Sequence, residues 1–252
     1  MPWMARLLTG ILDTKKKGMD FTKVKVQKAI CISASNIIKN QKQSTSYNIS
    51  MIIGEALSKK NISCEIIDLR EFALMPCNGC GECCKCRTCG QDTEFNRIYE
   101  KAAGADYLFF ASPCCAPIPA KLCMLLEKME KMSSLYKRME ADGLPKCSGT
   151  LAGIISYGEV EREASKDQIS TVLQEKLLRY KAMVNDIIAD ALCRMNMRTV
   201  PYNSKWNTGI ALPVGEDRNR KEQSYDPRLI EQEIRQYVEV IVQTSKSLHA
   251  IC

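Results

Sequence analysis

Lys28-Ala-Ile-Cys-Ile-Ser-Ala34 reads as a buried strand, and the order of elements after it decides the fold. A polar loop comes next. From Ser46 onward the apolar residues Ile49, Ile52, Ile53, Ala56 and Leu57 fall at helical spacing, as in a helix laid on a sheet. Cys64 to Leu69 is then a second strand. After a cysteine-rich loop, Asp92 caps a helix carrying Phe95, Ile98 and Ala102, and Tyr107-Leu-Phe-Phe-Ala111 is a third strand. The same alternation continues. A helix around Leu122, Leu125, Leu126 and Met129 precedes a strand from Thr150 to Ser156, which ends in Tyr157-Gly158. A long helix carries Val172, Leu173, Leu177, Tyr180, Val184, Ile187 and Ile188, Arg198 to Tyr202 supplies a fifth strand, and Asp226-Pro227 opens a last helix. Five strands alternating with helices predict an α/β fold with a doubly wound parallel sheet. Such sheets bind ligands beyond the carboxyl ends of their strands, which singles out the loops after Ala34, Ala111 and Ser156.

The chain has 252 residues, 45% of them hydrophobic, enough for one core with elaborations. The division expected is an extension over residues 1–27, one domain over 28–203 with a cysteine loop at 76–91, and a helical C-terminal extension over 204–252. The net charge of +7 comes from 36 basic and 29 acidic residues spread along the chain. No basic run interleaved with aromatics points to nucleic acid. Nor is there an apolar run of about 18 residues, as a membrane span requires. The opening residues lack the uninterrupted apolar core of a secretory signal, and the expected location is the cytoplasm.

Six of the fourteen cysteines lie between Cys77 and Cys89. Their spacing, Cys77-x2-Cys80-x2-Cys83-x5-Cys89, puts four thiolates on one tight loop, where each can reach a different iron of a 4Fe-4S cluster. Structural zinc typically uses two separated pairs, although zinc or disulfide use of this run stays open. Gly79, Gly81 and Gly90 let the backbone bend closely. Spacing alone leaves Cys84 and Cys86 as substitutes for Cys89.

The first loop, Ser33-Ala-Ser-Asn-Ile-Ile-Lys-Asn-Gln-Lys-Gln-Ser-Thr-Ser-Tyr-Asn48, suits a phosphate monoester, because hydroxyls and a helix N-terminus favour an anion. Ser46 serves equally as a simple N-cap. Cys114 and Cys115 end a buried strand, where small thiols are ordinarily packing residues. The only histidine, His249, lies three residues from the end, so histidine-based catalysis is not expected.

Strand 1 with Ser35, followed by Ser46-Tyr47-Asn48, resembles the phosphate loop of NADPH-dependent FMN reductases. Ser112-Pro113-Cys114-Cys115, with Pro119-Ala120 and Leu122 to Lys128 after it, is similar to the stretch those enzymes fold around the flavin ring. The cysteine run between strands 2 and 3 narrows the resemblance to the iron–sulfur flavoproteins, over about residues 28 to 202. The resemblance implies a flavodoxin-like sheet that binds FMN through Ser33, Ser35, Ser44, Thr45, Ser46, Asn48, Ser112, Pro113, Cys114, Cys115, Ala116, Tyr157 and Gly158. It also favours Cys89 as the fourth cluster ligand. The implied activity is an oxidoreductase passing electrons from ferredoxin or NAD(P)H to a small oxidant through the cluster and FMN, in a homodimer or homotetramer. The alternatives are an FMN reductase with a structural zinc loop, and a non-enzymatic metal-binding module on the same scaffold. Ala34 and Ile37 stand where the reductases usually have glycine and arginine, with Lys39 a substitute charge; Cys115 and Cys123 replace a tyrosine and a lysine.

Overall fold

The computed structural model describes residues 26–35, 44–115, 117–139, 146–158, 171–204, 207–213 and 227–251. Ile37, Lys39, Ala116, Asp226 and most of the 1–27 extension lie outside them, as do the side chains of Val172, Leu173, Leu177, Tyr180 and His249. The elements are β1 (Lys28–Ser33), α1 (Thr45–Ser58), β2 (Ser63–Asp68), α2 (Cys83–Cys86), α3 (Thr93–Ala103), β3 (Tyr107–Pro113), α4 (Ala120–Met139), β4 (Leu151–Gly158), α5 (Thr171–Arg194), β5 (Arg198–Thr199), β6 (Ile210–Pro213) and α6 (Pro227–Ile251). The sheet runs β2-β1-β3-β4-β5, with β6 also on β4, and every pairing is parallel. The chain order reverses direction between β1 and β3, so their carboxyl ends flank the switch-point crevice of an open α/β sheet.

Parity along the strands sorts the core into two layers. Ile30, Ile32, Leu108, Phe110, Ala152 and Ile154 face α3, α4 and α5, whereas Ala29, Cys31, Tyr107, Phe109, Leu151 and Ile155 face α1 and α6. Both faces are covered, and the central strands are therefore continuously apolar rather than alternating. Gly153 is where α6 comes nearest. A Cβ there would lie 2.5 Å from Ile241 Cδ1 and 2.8 Å from Phe109 Cδ1, so any side chain would push the helix off the sheet.

The fifth sheet position departs from the expected single strand. β5 covers only Arg198 and Thr199, beside Leu151 and Ala152, and β6 takes up the same edge of β4 further on, beside Ile155 to Gly158. The sheet and its helical cover therefore extend past residue 203. Between the two short strands, Tyr237 of α6 fills the break: its hydroxyl accepts from Ile154 N (3.3 Å) and donates to Val200 O (2.6 Å). Burial pushes this phenol well above its usual range.

A second buried polar node fixes the segment between β2 and α3. Asp92, 2% exposed, caps α3 by accepting from Phe95 N (2.9 Å), accepts from Met75 N (3.0 Å) and pairs with Lys128 of α4. Burial alone would raise the Asp92 carboxyl, but Lys128 and the two backbone N–H groups hold it below the usual range. No disulfide joins any of the described cysteines, and no helix among the described residues is long and apolar enough to cross a membrane.

Tyr237→Phe removes the bridge and strands a buried N–H and a buried carbonyl; a loss of about 1–3 kcal/mol is expected in urea unfolding. Asp92→Asn is expected to cost about 3–5 kcal/mol, since it leaves the Lys128 ammonium buried without its counter-charge. The folded-state value of Asp92 is depressed. Its contribution is thus full above the unfolded carboxylate value of about 3.9 and disappears as pH falls through the folded value. Unfolding measured against pH should show a flatter acid limb in Asp92→Asn than in the natural chain.

Candidate functional site

The carboxyl end of β1 and the first turn of α1 meet through side-chain hydroxyls. Ser33 Oγ donates to Ser46 Oγ (3.0 Å), Ser44 Oγ lies 3.0 Å from the same atom, and Ser50 Oγ donates to Ser46 O (2.8 Å). Ser33 and Ser46 are fully buried and Ser35 nearly so. Ser44 occupies the N-cap position, yet its side chain makes no capping bond, and no acidic residue stands in the first turn. In the first turn of this fourteen-residue helix the Ser46 N–H bonds Tyr157, and the positive end of the helix dipole is offset by no acidic side chain. Thr45 is half-buried here and Asn48 is exposed.

Tyr157, one of the residues the resemblance implies for FMN, points to the α1 side of the sheet, where it contacts Ser46. Burial raises its phenol above the usual value, and hydrogen bonding to Ser46 brings it part of the way back. The next loop is joined to the same strand end. Pro113 stands level with Tyr157, Cys114 N donates to Tyr157 O (2.8 Å), and Ser112 Oγ donates to Pro113 O (3.2 Å). Gly158 lies against Cys114, whose Cβ is 3.1 Å from where a Cβ on the glycine would be. Cys115 and Cys123 are exposed; burial and Glu127 raise the Cys123 thiol.

A third group, absent from the sequence reading, closes this end of the sheet. Asp68 and Ser33 are register partners on β2 and β1. Directly after β2, a 3-10 turn spans Leu69–Glu71, and Asp68 caps it by accepting from Arg70 N (3.1 Å). Asp68 also holds the Arg70 guanidinium, whose Nε lies 3.0 and 2.9 Å from its two oxygens. Lys121, on the first turn of α4, donates to the carbonyls of Leu69 (2.9 Å) and Arg70 (3.2 Å). A contact between residues 52 positions apart leaves no local pattern in sequence.

The cysteine segment begins six residues beyond Glu71. Gly79 (φ +72°) and Gly81 (φ +74°) take left-handed conformations on either side of Cys80, a region that favours glycine. Gly90 is small for another reason: the Glu82 carboxylate lies where its Cβ would be. Asn96 of α3 clamps Cys89 in both directions, accepting from its N (2.8 Å) and donating to its O (2.8 Å). Asn78 accepts from Cys80 N (3.1 Å). A cavity of about 270 Å³ results, lined by Cys77, Cys80, Cys83 and Cys89 together with Phe95, Lys128 and Lys131. Cys86 instead donates to Glu82 O (3.3 Å) and accepts from Thr88 Oγ1 (3.4 Å), and its hydrogen bonding with Thr88 lowers its thiol. Neither Cys84 nor Cys86 lines the cavity. Among the described residues, no three Cys, His, Asp or Glu side chains converge closely enough to hold a single metal ion. Cys31 and Cys147 are buried packing groups, and burial pushes Cys147 up to about 12 and the half-buried Cys64 up to about 11.

Residues 28–178 match the family model for NADPH-dependent FMN reductases. No curated protein matches the sequence significantly. Among solved structures, the chain is similar to RosB with the bound intermediate 8-demethyl-8-formylriboflavin-5'-phosphate, at 15% identity and a TM-score of 0.61, over 89% of this chain and 81% of that one. It is also similar to the NAD(P)H:quinone oxidoreductase from Methanothermobacter marburgensis, at 13% identity and a TM-score of 0.50, over 84% and 98%. The family match spans more than half of the sequence and the parallel sheet agrees with it: the chain belongs to the NADPH-dependent FMN reductase family and is a flavin-dependent oxidoreductase.

Proposed function

We propose that the protein holds FMN at the carboxyl ends of β1, β3 and β4 and a 4Fe-4S cluster on Cys77, Cys80, Cys83 and Cys89. The single observation carrying the second cofactor is the cavity, because four of the six clustered thiols border it while Cys84 and Cys86 do not. Four thiols spread around about 270 Å³ suit a multi-atom cluster better than one ion. For FMN, the residues fit as well. An uncapped helix N-terminus with Ser44 and Ser46 suits the phosphate, and the strand ends at Ser112 to Cys115 and at Gly158 border the crevice for the ring. RosB, similar in fold, carries a flavin phosphate derivative, and the reading extends that ligand class to this chain.

When bound, FMN exchanges electrons singly or in pairs and the cluster exchanges one at a time, so together they link one- and two-electron partners. The chain's own residues hold and orient. Asp92, Lys128 and Asn96 fix the cysteine segment on α3 and α4, while Ser33 and Tyr157 fix Ser46 at the phosphate end. NAD(P)H as donor accords with the family; ferredoxin is the one-electron donor in this reading, and a small oxidant is the acceptor. A cluster near the surface works best with a neighbouring subunit's flavin, which favours a homodimer or homotetramer, in the cytoplasm.

Anaerobic purification with iron, sulfide, zinc and flavin measured on one sample tests this. About four iron and four sulfide per chain, with one FMN, are expected. Cys77→Ser or Cys89→Ser should lose most of the iron and keep FMN, whereas Cys86→Ser should keep both. Zinc without sulfide would replace the cluster by a structural zinc loop, and failure to take up flavin would leave a non-enzymatic module.

A further inference from the structure

The wall of the cysteine cavity carries two charged side chains, Lys128 and Lys131, and among the described residues no carboxylate lines it. Both lysines belong to α4 and stand about one turn apart, on the same face of that helix. Their charges are not equivalent. Lys128 is buried against Asp92, whose carboxylate cancels its charge at close range. Lys131 is exposed at the cavity border, and among the described residues no carboxylate pairs with it. Glu82 lies against Gly90 but does not line the cavity. The field of Lys131 reaches the thiols: burial and the neighbouring Cys84 raise Cys83, whereas Lys131 acts to lower it.

We infer that Lys131 raises the reduction potential of the cluster above the value that the four thiolates alone would give, a role that rests on the cluster reading above. Four thiolates make a bound cluster net negative, and an added electron makes it more so. A cation at the wall favours the more negative, reduced form over the oxidised one. Lys128 has little part in this, because its pair with Asp92 presents no net charge to the cavity. The step concerned is the transfer of one electron from the donor to the cluster, with no bond made or broken and no proton moved at Lys131. Water and salt screen an exposed ammonium, so the effect is modest. About three- to tenfold in the ratio of reduced to oxidised cluster is expected, equal to about 30 to 60 mV for one electron. Lys131 stands ten residues along α4 from Lys121, which binds the turn at the end of β2. That is a rise of about 15 Å, so a flavin at the strand ends should feel the charge less.

The test is a potentiometric titration of the anaerobically purified full chain with dithionite. The electron paramagnetic resonance of the reduced cluster and the absorbance of the flavin are followed together, with iron and sulfide measured on each sample. Lys131→Gln should lower the cluster potential by about 30 to 60 mV, the three- to tenfold shift above, and move the flavin couple less. Lys131→Glu should lower it further, and Lys131→Arg, which keeps the charge, should stay near the natural value. The difference between the natural chain and Lys131→Gln should shrink in about 1 M salt, where charges are screened within about 3 Å. An unchanged cluster potential in Lys131→Gln, an equal shift in Lys131→Arg, or a shift that salt does not reduce would overturn the role of Lys131. Loss of iron and sulfide from Lys131→Gln would overturn it too, by making the residue a structural support. A natural chain without iron and sulfide would overturn the cluster reading itself and this role with it.

Discussion

A carboxylate taken out of water must find its hydrogen bonds inside the protein, and Asp92 finds them in three different places. One is the first turn of α3, one is the backbone at Met75 where the cysteine segment begins, and one is Lys128 on α4. The segment between β2 and α3 would otherwise be a surface excursion of some twenty residues with little apolar burial. Pinned at Met75 by Asp92 and at Cys89 by Asn96, it has both ends fixed on the first turns of α3. Phe95 completes the joint, with Lys128 Nζ 5.5 Å from its ring centre. The same few side chains therefore start a helix, hold a loop and border a cavity.

Two potential sites share one strand end. From Asp68, which clamps Arg70 and is level with Ser33, the chain needs only nine residues to reach Cys77. Lys121 ties the turn between them to α4, the helix whose later turns carry Lys128 and Lys131 to the cysteine cavity. Placement of the serine group and the cysteine cavity relative to each other is thus set by rigid elements, not by the loops that carry those side chains.

How much of this the sequence reveals depends on the range of the contact. The strands at Lys28, Cys64, Tyr107 and Thr150 and the helices between them are legible because periodicity and caps are local. Asp92 as a cap was legible for the same reason. β6 was not: Ile210-Ala-Leu-Pro213 is four residues ending in proline, too short to show a period, and only the open edge of β4 makes it a strand. The serines ahead of α1 are plain in the sequence, but the contact of Tyr157 with Ser46 is not, because strand parity turns that ring toward α1. Gly90 looked like a bend and is instead room for Glu82. Arg70, Asn96, Lys121 and Lys128 carry no motif. Their roles come from partners on other elements or across a turn, which spacing does not encode.

The broken fifth strand has a bearing on how the chain comes to be folded during its synthesis. In most parallel sheets the ladder closes when its last strand arrives; here a helix side chain takes one rung, and that helix follows all six strands in chain order. Until Tyr237 leaves the ribosome, the outer edge of β4 stays unsealed between Ala152 and Ile155. Unpaired edges invite pairing with other chains. The nascent protein therefore passes through a window of vulnerability that lasts until α6 emerges.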